Sequence, residues 1–186
     1  MRTVYFKNDR DILKNVACIG FFDGVHRGHQ KLIAHVKDLA EQKGLVPTLI
    51  TFDRDPDSVI EDREHFQIHS FQERAALYER FGIEQLIVIP FDREVMRTSK
   101  EAFVEDYLNQ MDIDTLICGF DFSFGYKGEG NGRFLQEYPG CTFETLIEEE
   151  VTYYRKKISS TRIKEELKKG NLALVNKMLG YEYRKK

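Results

Sequence analysis

Two histidines three positions apart, His26 and His29, follow an apolar run in VACIGFFDGVHRGHQ (16–30), with glycines at 20, 24 and 28. Gly20 ends the run and removes a side chain where a ligand could approach the backbone, and Gly24 lets the loop turn. Gly28 lets another group pack close to the start of the helix that the following pattern predicts. A helix N-terminus carries unpaired N–H groups and a partial positive charge, which suit phosphate. Two imidazoles at the same end add donors, so the constellation could hold a triphosphate and stabilise charge built up during attack on its α-phosphorus. Neither histidine need transfer a proton for this, since positioning and electrostatics suffice. The plainer alternative is that His29 caps its own helix and His26 hydrogen-bonds a loop.

Two further stretches have the same character. In CGFDFSFGYKGEGN (118–131), Phe120, Phe122 and Phe124 alternate around Asp121. They either close the core or line a slot for a flat ring, with Asp121 fixing a ribose or a ring N–H. Gly125, Gly128, Gly130 and Gly132 imply a mobile loop. In KISSTRIK (157–164), hydroxyls at a helix start with basic residues one turn on form a second phosphate cradle, or else a cap with solvated charges.

These residues need a scaffold that brings them together. The runs at 16–21, 45–52, 85–91 and 115–120 are nearly continuously apolar, as expected of strands buried on both faces, and a fifth lies at 141–149. Helical patterns fall between them at 28–43, 71–81 and 99–110. The first places Leu32, Ile33, Val36, Leu39 and Ala40 on one face and stops at Gly44; the third is capped by Ser99. This alternation predicts an α/β fold, a Rossmann-like doubly wound parallel sheet flanked by helices. Ligands in such folds bind beyond the carboxyl ends of the strands, here after 21, 52, 91 and 120. Residues 53–70, acidic and holding Pro56, read as a lid or as a solvated connector with a short helix. His65 and His69 lie there, four apart, with no third ligand in view. Past 150, two short helices split at Gly170, with Ser160 or Thr161 as N-cap and Glu165 as a capping partner.

Length and composition set the frame. The 186 residues predict a single domain over 1–186 with a helical segment at about 159–180. The 28 basic and 31 acidic residues leave a net charge of −3, without the electrostatic footprint of a nucleic-acid or anionic-membrane binder. No apolar run approaches the ~18 residues of a membrane span, and the polar start is unlike a signal peptide, so a cytoplasmic protein is expected. Cys18, Cys118 and Cys141 form no CxxC pair and read as small buried hydrophobes; no metal site is expected of them.

The three motifs in this order resemble a known family. His26-Arg27-Gly28-His29 matches HxGH, Ile158 to Lys164 matches ISSTxxR, and Gly119 to Gly125 matches GxDFxFG. From Ala17 to Tyr183 the chain resembles the adenylyltransferase module of the bacterial bifunctional riboflavin kinase/FMN adenylyltransferases (FAD synthetases), within the HxGH nucleotidyltransferases. The resemblance implies the reaction ATP + FMN → FAD + pyrophosphate, with Mg²⁺ bridging phosphates and no dedicated carboxylate cage. It implies His26 and His29 as the catalytic pair. It implies ATP contacts at Gly20, Phe21, Phe22, His26, His29, Gly119, Asp121, Ser159, Ser160, Thr161 and Lys164. Flavin contacts are implied at Phe52, Asp121, Phe122, Phe124 and Gly125. The chain departs from the family pattern at Phe21, where asparagine is usual, at 53–56, where a proline and a histidine are missing, and at Lys164, which keeps the charge of an arginine without its fork. The kinase module is not expected in this chain, so FMN would come from riboflavin kinase activity on another protein. The departures leave two alternatives: an HxGH nucleotidyltransferase with a different phosphorylated acceptor, and a non-catalytic paralogue that binds flavin nucleotide or ATP.

Overall fold

Strands with alternate side chains buried on opposite faces need helices on both sides, and the computed structural model, which describes residues 1–9 and 11–184, has that arrangement. In chain order the elements begin with β1 (Arg2–Tyr5), β2 (Asn15–Ile19), α1 (Arg27–Lys43), β3 (Val46–Phe52), α2 (Pro56–Ile60), α3 (Phe71–Arg80) and β4 (Gln85–Ile89). There follow α4 (Arg93–Arg97), α5 (Lys100–Asp106), β5 (Ile113–Gly119), β6 (Ser123–Phe124), β7 (Gly130–Asn131) and α6 (Gly132–Glu137). The chain closes with β8 (Glu144–Glu148), β9 (Thr152–Tyr153), β10 (Lys156–Lys157), α7 (Ser160–Lys168) and α8 (Leu172–Leu179). Six strands form one sheet in the order β1-β4-β3-β2-β5-β8, with every pairing parallel. This is the doubly wound Rossmann-like architecture expected.

The two-residue period of β2 divides the core. Val16 and Cys18 join Leu32, Ile33 and Val36 of α1 and Tyr78 of α3 on one face. Ala17 and Ile19 join Phe103 and Val104 of α5 and Leu135 of α6 on the other. A third apolar cluster, built on Ile158, Ile163, Val175, Met178 and Leu179, packs α7 and α8 against Ile68. Cys18 and Cys118 are buried free thiols and Cys141 is half-buried. Among the described residues no helix is long and apolar enough to cross a membrane.

Several local expectations change. The helix expected over 99–110 breaks at Tyr107 (φ −120°, ψ −70°) into α5 and a 3₁₀ turn over Leu108–Gln110. Ser99 caps α5 as expected, and Gly44 ends α1 in the left-handed region at φ 65°. The N-cap of α7 is Ser159 rather than Ser160 or Thr161: its backbone is extended and its Oγ accepts the Arg162 N–H at 3.3 Å, while no capping box involves Glu165. Segment 53–70 is a connector holding the short helix α2, capped by Asp55. Its two histidines diverge: His65 Nε2 lies 3.2 Å from Glu61, and the ring of His69 meets those of Tyr181 and Tyr183.

The glycine-rich stretch after Phe124 is not a loose loop. β6 and β7 pair antiparallel around a 3₁₀ turn over Tyr126–Gly128. A Cβ on Gly130 would sit 2.6 Å from the Phe124 ring, and one on Gly132 2.9 Å from Cys118 Sγ, so these glycines serve close packing. Gly130→Ala is therefore expected to lower stability by about 1–3 kcal/mol, the cost of overpacking against a buried ring. Urea denaturation checks this; an unchanged midpoint would mean the ring has room to move.

Candidate active site

The sheet order reverses at β2: the chain moves from β2 to β3 on one side, and β5 enters on the other. A crevice opens beyond the carboxyl ends of β2 and β5, the place where doubly wound folds bind ligands. The loop after β2 brings the histidines there, the loop after β5 brings Asp121, and α7 closes the third side.

His26 is the N-cap of α1, and its Nδ1 accepts the N–H of His29 at 3.4 Å. The cap is thus His26, not His29. An accepting Nδ1 puts the proton of the neutral ring on Nε2, the nitrogen left to serve a ligand. The two imidazoles stack with centroids 3.6 Å apart and planes 16° apart. Gly28 permits this, since a Cβ there would lie 3.2 Å from His26 ring atoms. His29 also packs edge-on against Phe22 at 4.9 Å, and its Nδ1 is buried without a partner. Burial, reinforced by the charge of Lys157, holds His26 down to about 4. Burial, then the neighbouring His26 and Lys157, holds His29 well below the usual histidine range. Both rings are therefore neutral donors at pH 7.

The start of α7 faces them. Ser159 and Thr161 line, with His26, Gly28 and His29, a cavity of about 380 Å³. Neither α1 nor α7 has an acidic residue in its first turn, so both helix ends keep their positive character. Some groups expected to meet phosphate are engaged within the protein. Ser160 Oγ donates to the Asp23 carbonyl at 2.7 Å, and Lys164 Nζ lies 2.9 Å from the buried Asp23 carboxylate. Arg162 donates to the carbonyls of Tyr153, Lys156 and Lys157, which fixes the β9–β10 hairpin to α7.

A second cavity of about 370 Å³ adjoins the first and shares His29, Gly119, Asp121, Ser160 and Thr161 with it. Gly20, Phe21, Phe22 and Lys164 also line it, as do Phe52 and Phe122. Beyond Phe52 it meets a third cavity of about 410 Å³, more apolar, with Phe91, Met96, Phe103, Phe124, Gly125 and Tyr126 in its wall. The residues expected at the nucleotide thus gather around the first two cavities. Those expected at a flavin divide: Phe52, Phe124 and Gly125 border the apolar cavity, whereas Asp121 and Phe122 border the central one. Phe122 and Phe124 remain parallel, centroids 5.5 Å apart.

Three residues here were not singled out from the sequence. Lys157 ion-pairs with Asp121 and lies 4.7 Å over the Phe120 ring. Asp55 is 5% exposed, caps α2 and lines the central cavity, and burial raises its pKa. Its position before Pro56 is the signature of a cap followed by proline at the first helical position. Asp23 has no such local signature.

The depressed histidine fixes a sign for acid stability. Between the unfolded-chain value of 6.5 and the folded value of about 4, the unfolded chain binds the proton that the folded His26 refuses. Stability present above that window is lost as the pH falls through it, at up to about 1.4 kcal/mol per pH unit and roughly 3 kcal/mol in all. Chemical denaturation at a series of pH values should give His26→Gln a flatter curve than wild type across this window; parallel curves would refute the buried neutral imidazole.

Comparison with known proteins identifies the family. A family model described as FAD synthetase matches residues 9–162. The bifunctional riboflavin kinase/FMN adenylyltransferase of Listeria monocytogenes is 35% identical over 98% of the chain and 60% of its own length. The Bacillus subtilis protein of the same name is 32% identical with the same coverage. The chain spans about three-fifths of the length of these relatives. A solved structure described as a macrolide-efflux protein from Streptococcus pneumoniae superposes with a TM-score of 0.87 at 28% identity, covering 98% of this chain and 72% of that one. The family model covers most of the chain, and the chain belongs to the FAD synthetase family.

Proposed function

We propose that this chain is an FMN adenylyltransferase that makes FAD and pyrophosphate from ATP and FMN. The observation that carries the reading is the meeting of two helix N-termini, capped by His26 and Ser159, in a crevice that runs into an aromatic-walled cavity. The polar side suits a triphosphate and the apolar side suits an isoalloxazine ring. An FMN phosphate oxygen bonds to the α-phosphorus of ATP as the bond from that phosphorus to the pyrophosphate oxygen breaks.

Within this reading, His26 and His29 act as neutral donors toward the phosphate oxygens that gain charge in the transition state. No general base is required, because the attacking phosphate is already an anion. Backbone N–H groups at the start of α7, with Thr161, hold the departing pyrophosphate. Asp121 meets ribose hydroxyls, and Phe52 and Phe124 flank the flavin. Among the described residues no three His, Cys, Asp or Glu side chains are grouped to hold a metal, so a magnesium ion would be carried chiefly by the phosphates and water. Such an ion neutralises phosphate charge when bound.

Purified protein with ATP, FMN and Mg²⁺ is expected to yield FAD on chromatography, and with riboflavin in place of FMN to yield none. His29→Ala should lower turnover by on the order of 10²-fold. Absence of FAD from protein that binds ATP would reject the acceptor, and an unchanged rate in His29→Ala would reject the role of that histidine.

A further inference from the structure

Behind the peptide joining Phe21 to Phe22 lies a cation that the proposed chemistry does not use. Arg74, on α3, is 1% exposed. Its partners are a carbonyl, a phenol and two rings: Nη1 donates to the Phe21 carbonyl at 2.5 Å and to Tyr78 Oη at 3.3 Å, and the guanidinium lies 4.0 Å over the Phe21 ring and 5.6 Å over that of Phe71. Its Nε is buried with no hydrogen-bond partner. Desolvating a guanidinium for such partners is costly in folding terms.

The Phe21 carbonyl also accepts from Thr51 Oγ1 and Tyr78 Oη, each at 3.4 Å. Three side chains thus hold one oxygen on the α3 side of the loop. A trans peptide directs its C=O and N–H to opposite sides. The chain has no cis peptide among the described residues. Phe21 and Phe22 border the central cavity, whereas Arg74, Tyr78 and Thr51 do not. Pinning the carbonyl toward Arg74 therefore turns the Phe22 N–H toward the cavity, and a buried cation behind the peptide polarises that N–H into a stronger donor. Phe22 itself sits at φ +55°, a conformation a bulky residue holds only when its surroundings enforce it. Its ring carries His29.

We infer that Arg74 is a positioning residue for the nucleotide cleft: it orients the Phe21–Phe22 peptide so that the Phe22 N–H and the His29 ring meet the nucleotide phosphates together. The inference rests on the nucleotide-transfer reading above. It explains why a charge is buried on α3, since the benefit falls on the site rather than on the fold.

The test compares wild type with Arg74→Met, which keeps the bulk and loses charge and fork, and with Arg74→Lys, which can still offer one N–H to the same carbonyl. Steady-state FAD formation should show kcat reduced by on the order of tenfold or more in Arg74→Met with a smaller change in KM for ATP, and partial recovery in Arg74→Lys. The urea midpoint of Arg74→Met should stay near wild type. In ¹⁵N spectra, ATP should shift the Phe22 amide of wild type and shift it much less in Arg74→Met. Unchanged kcat, or a loss of rate matched by a loss of folded protein, would overturn the inference. Should wild type bind ATP but form no FAD, the acceptor reading fails alone; equal ATP-induced shifts of the Phe22 amide in both proteins would then overturn the role of Arg74.

Discussion

Asp23 is the knot on which the crevice depends. It is 3% exposed, and its carboxylate accepts the backbone N–H groups of Ile68 at 2.9 Å and His69 at 3.3 Å while facing the ammonium of Lys164 at 2.9 Å. Its carbonyl accepts the Ser160 hydroxyl. One residue thereby joins the loop after β2, the end of the 53–70 connector and the first turns of α7. Removing one partner of a buried pair typically costs about 3–5 kcal/mol because the other charge is left desolvated. These contacts hold the loop before α1 against the first turn of α7. Two lighter ties run in parallel: Tyr181 Oη donates to the Gly24 carbonyl at 2.5 Å, and Gln30 Nε2 to the Leu179 carbonyl at 2.6 Å. α7 and α8 are thus bound to the histidine loop by polar contacts as well as by their own apolar cluster.

The electrostatics of the crevice follow from the same economy. Lys157 and Lys164 line it, and each faces a carboxylate, Asp121 and Asp23 respectively. The histidines are neutral. Under the proposed function, attraction for anions would therefore come from aligned backbone dipoles at two helix ends, which are fixed in place and need no reorganisation when charge moves. Mobile surface cations would attract many polyanions without regard to shape. Two converging helix ends act only at short range and reward a chain of phosphates that reaches both.

The sequence carried some of this plainly and some of it not at all. β2, β3, β4 and β5 were legible because burial on both faces leaves an unbroken apolar run, and α1 because its apolar stripe ends at Gly44. β1 escaped notice since it is an edge strand with Val4 as its single buried residue. The cap of α7 was misplaced by one or two residues because Ser159, Ser160 and Thr161 are chemically alike, and backbone angles rather than side-chain type select the cap. The glycines after Phe124 suggested looseness, whereas they admit a ring and a thiol. Most of the motif residues could be located at the crevice, but their partners could not. Asp23 with Lys164, Asp121 with Lys157, and Phe21 with Arg74 are pairings between distant segments, and no local pattern announces them.

The two sides of the crevice are held by different forces, and this bears on what each can tolerate. The side that holds the two helix N-termini is fixed by directional bonds to buried groups, so small displacements there leave a donor or a charge unpaired. The apolar side is held by ring contacts: Phe52 meets Phe91 edge-on at 5.1 Å, and Phe124 packs on Phe103 at 5.4 Å. Ring packing accepts a change of side chain when volume is conserved, at a cost usually below about 1.5 kcal/mol. Of the segment 53–56, Pro56 borders both this apolar wall and the central cavity, while Asp55 caps α2 and lines the central cavity alone of the two. Departures at Phe21 and Lys164 fall on the directional side, and there each comes with a buried charged partner, Arg74 and Asp23. Change at the apolar wall thus needs only a refilled cavity, whereas change at Phe21 or Lys164 is tied to a charge that must be accommodated with it.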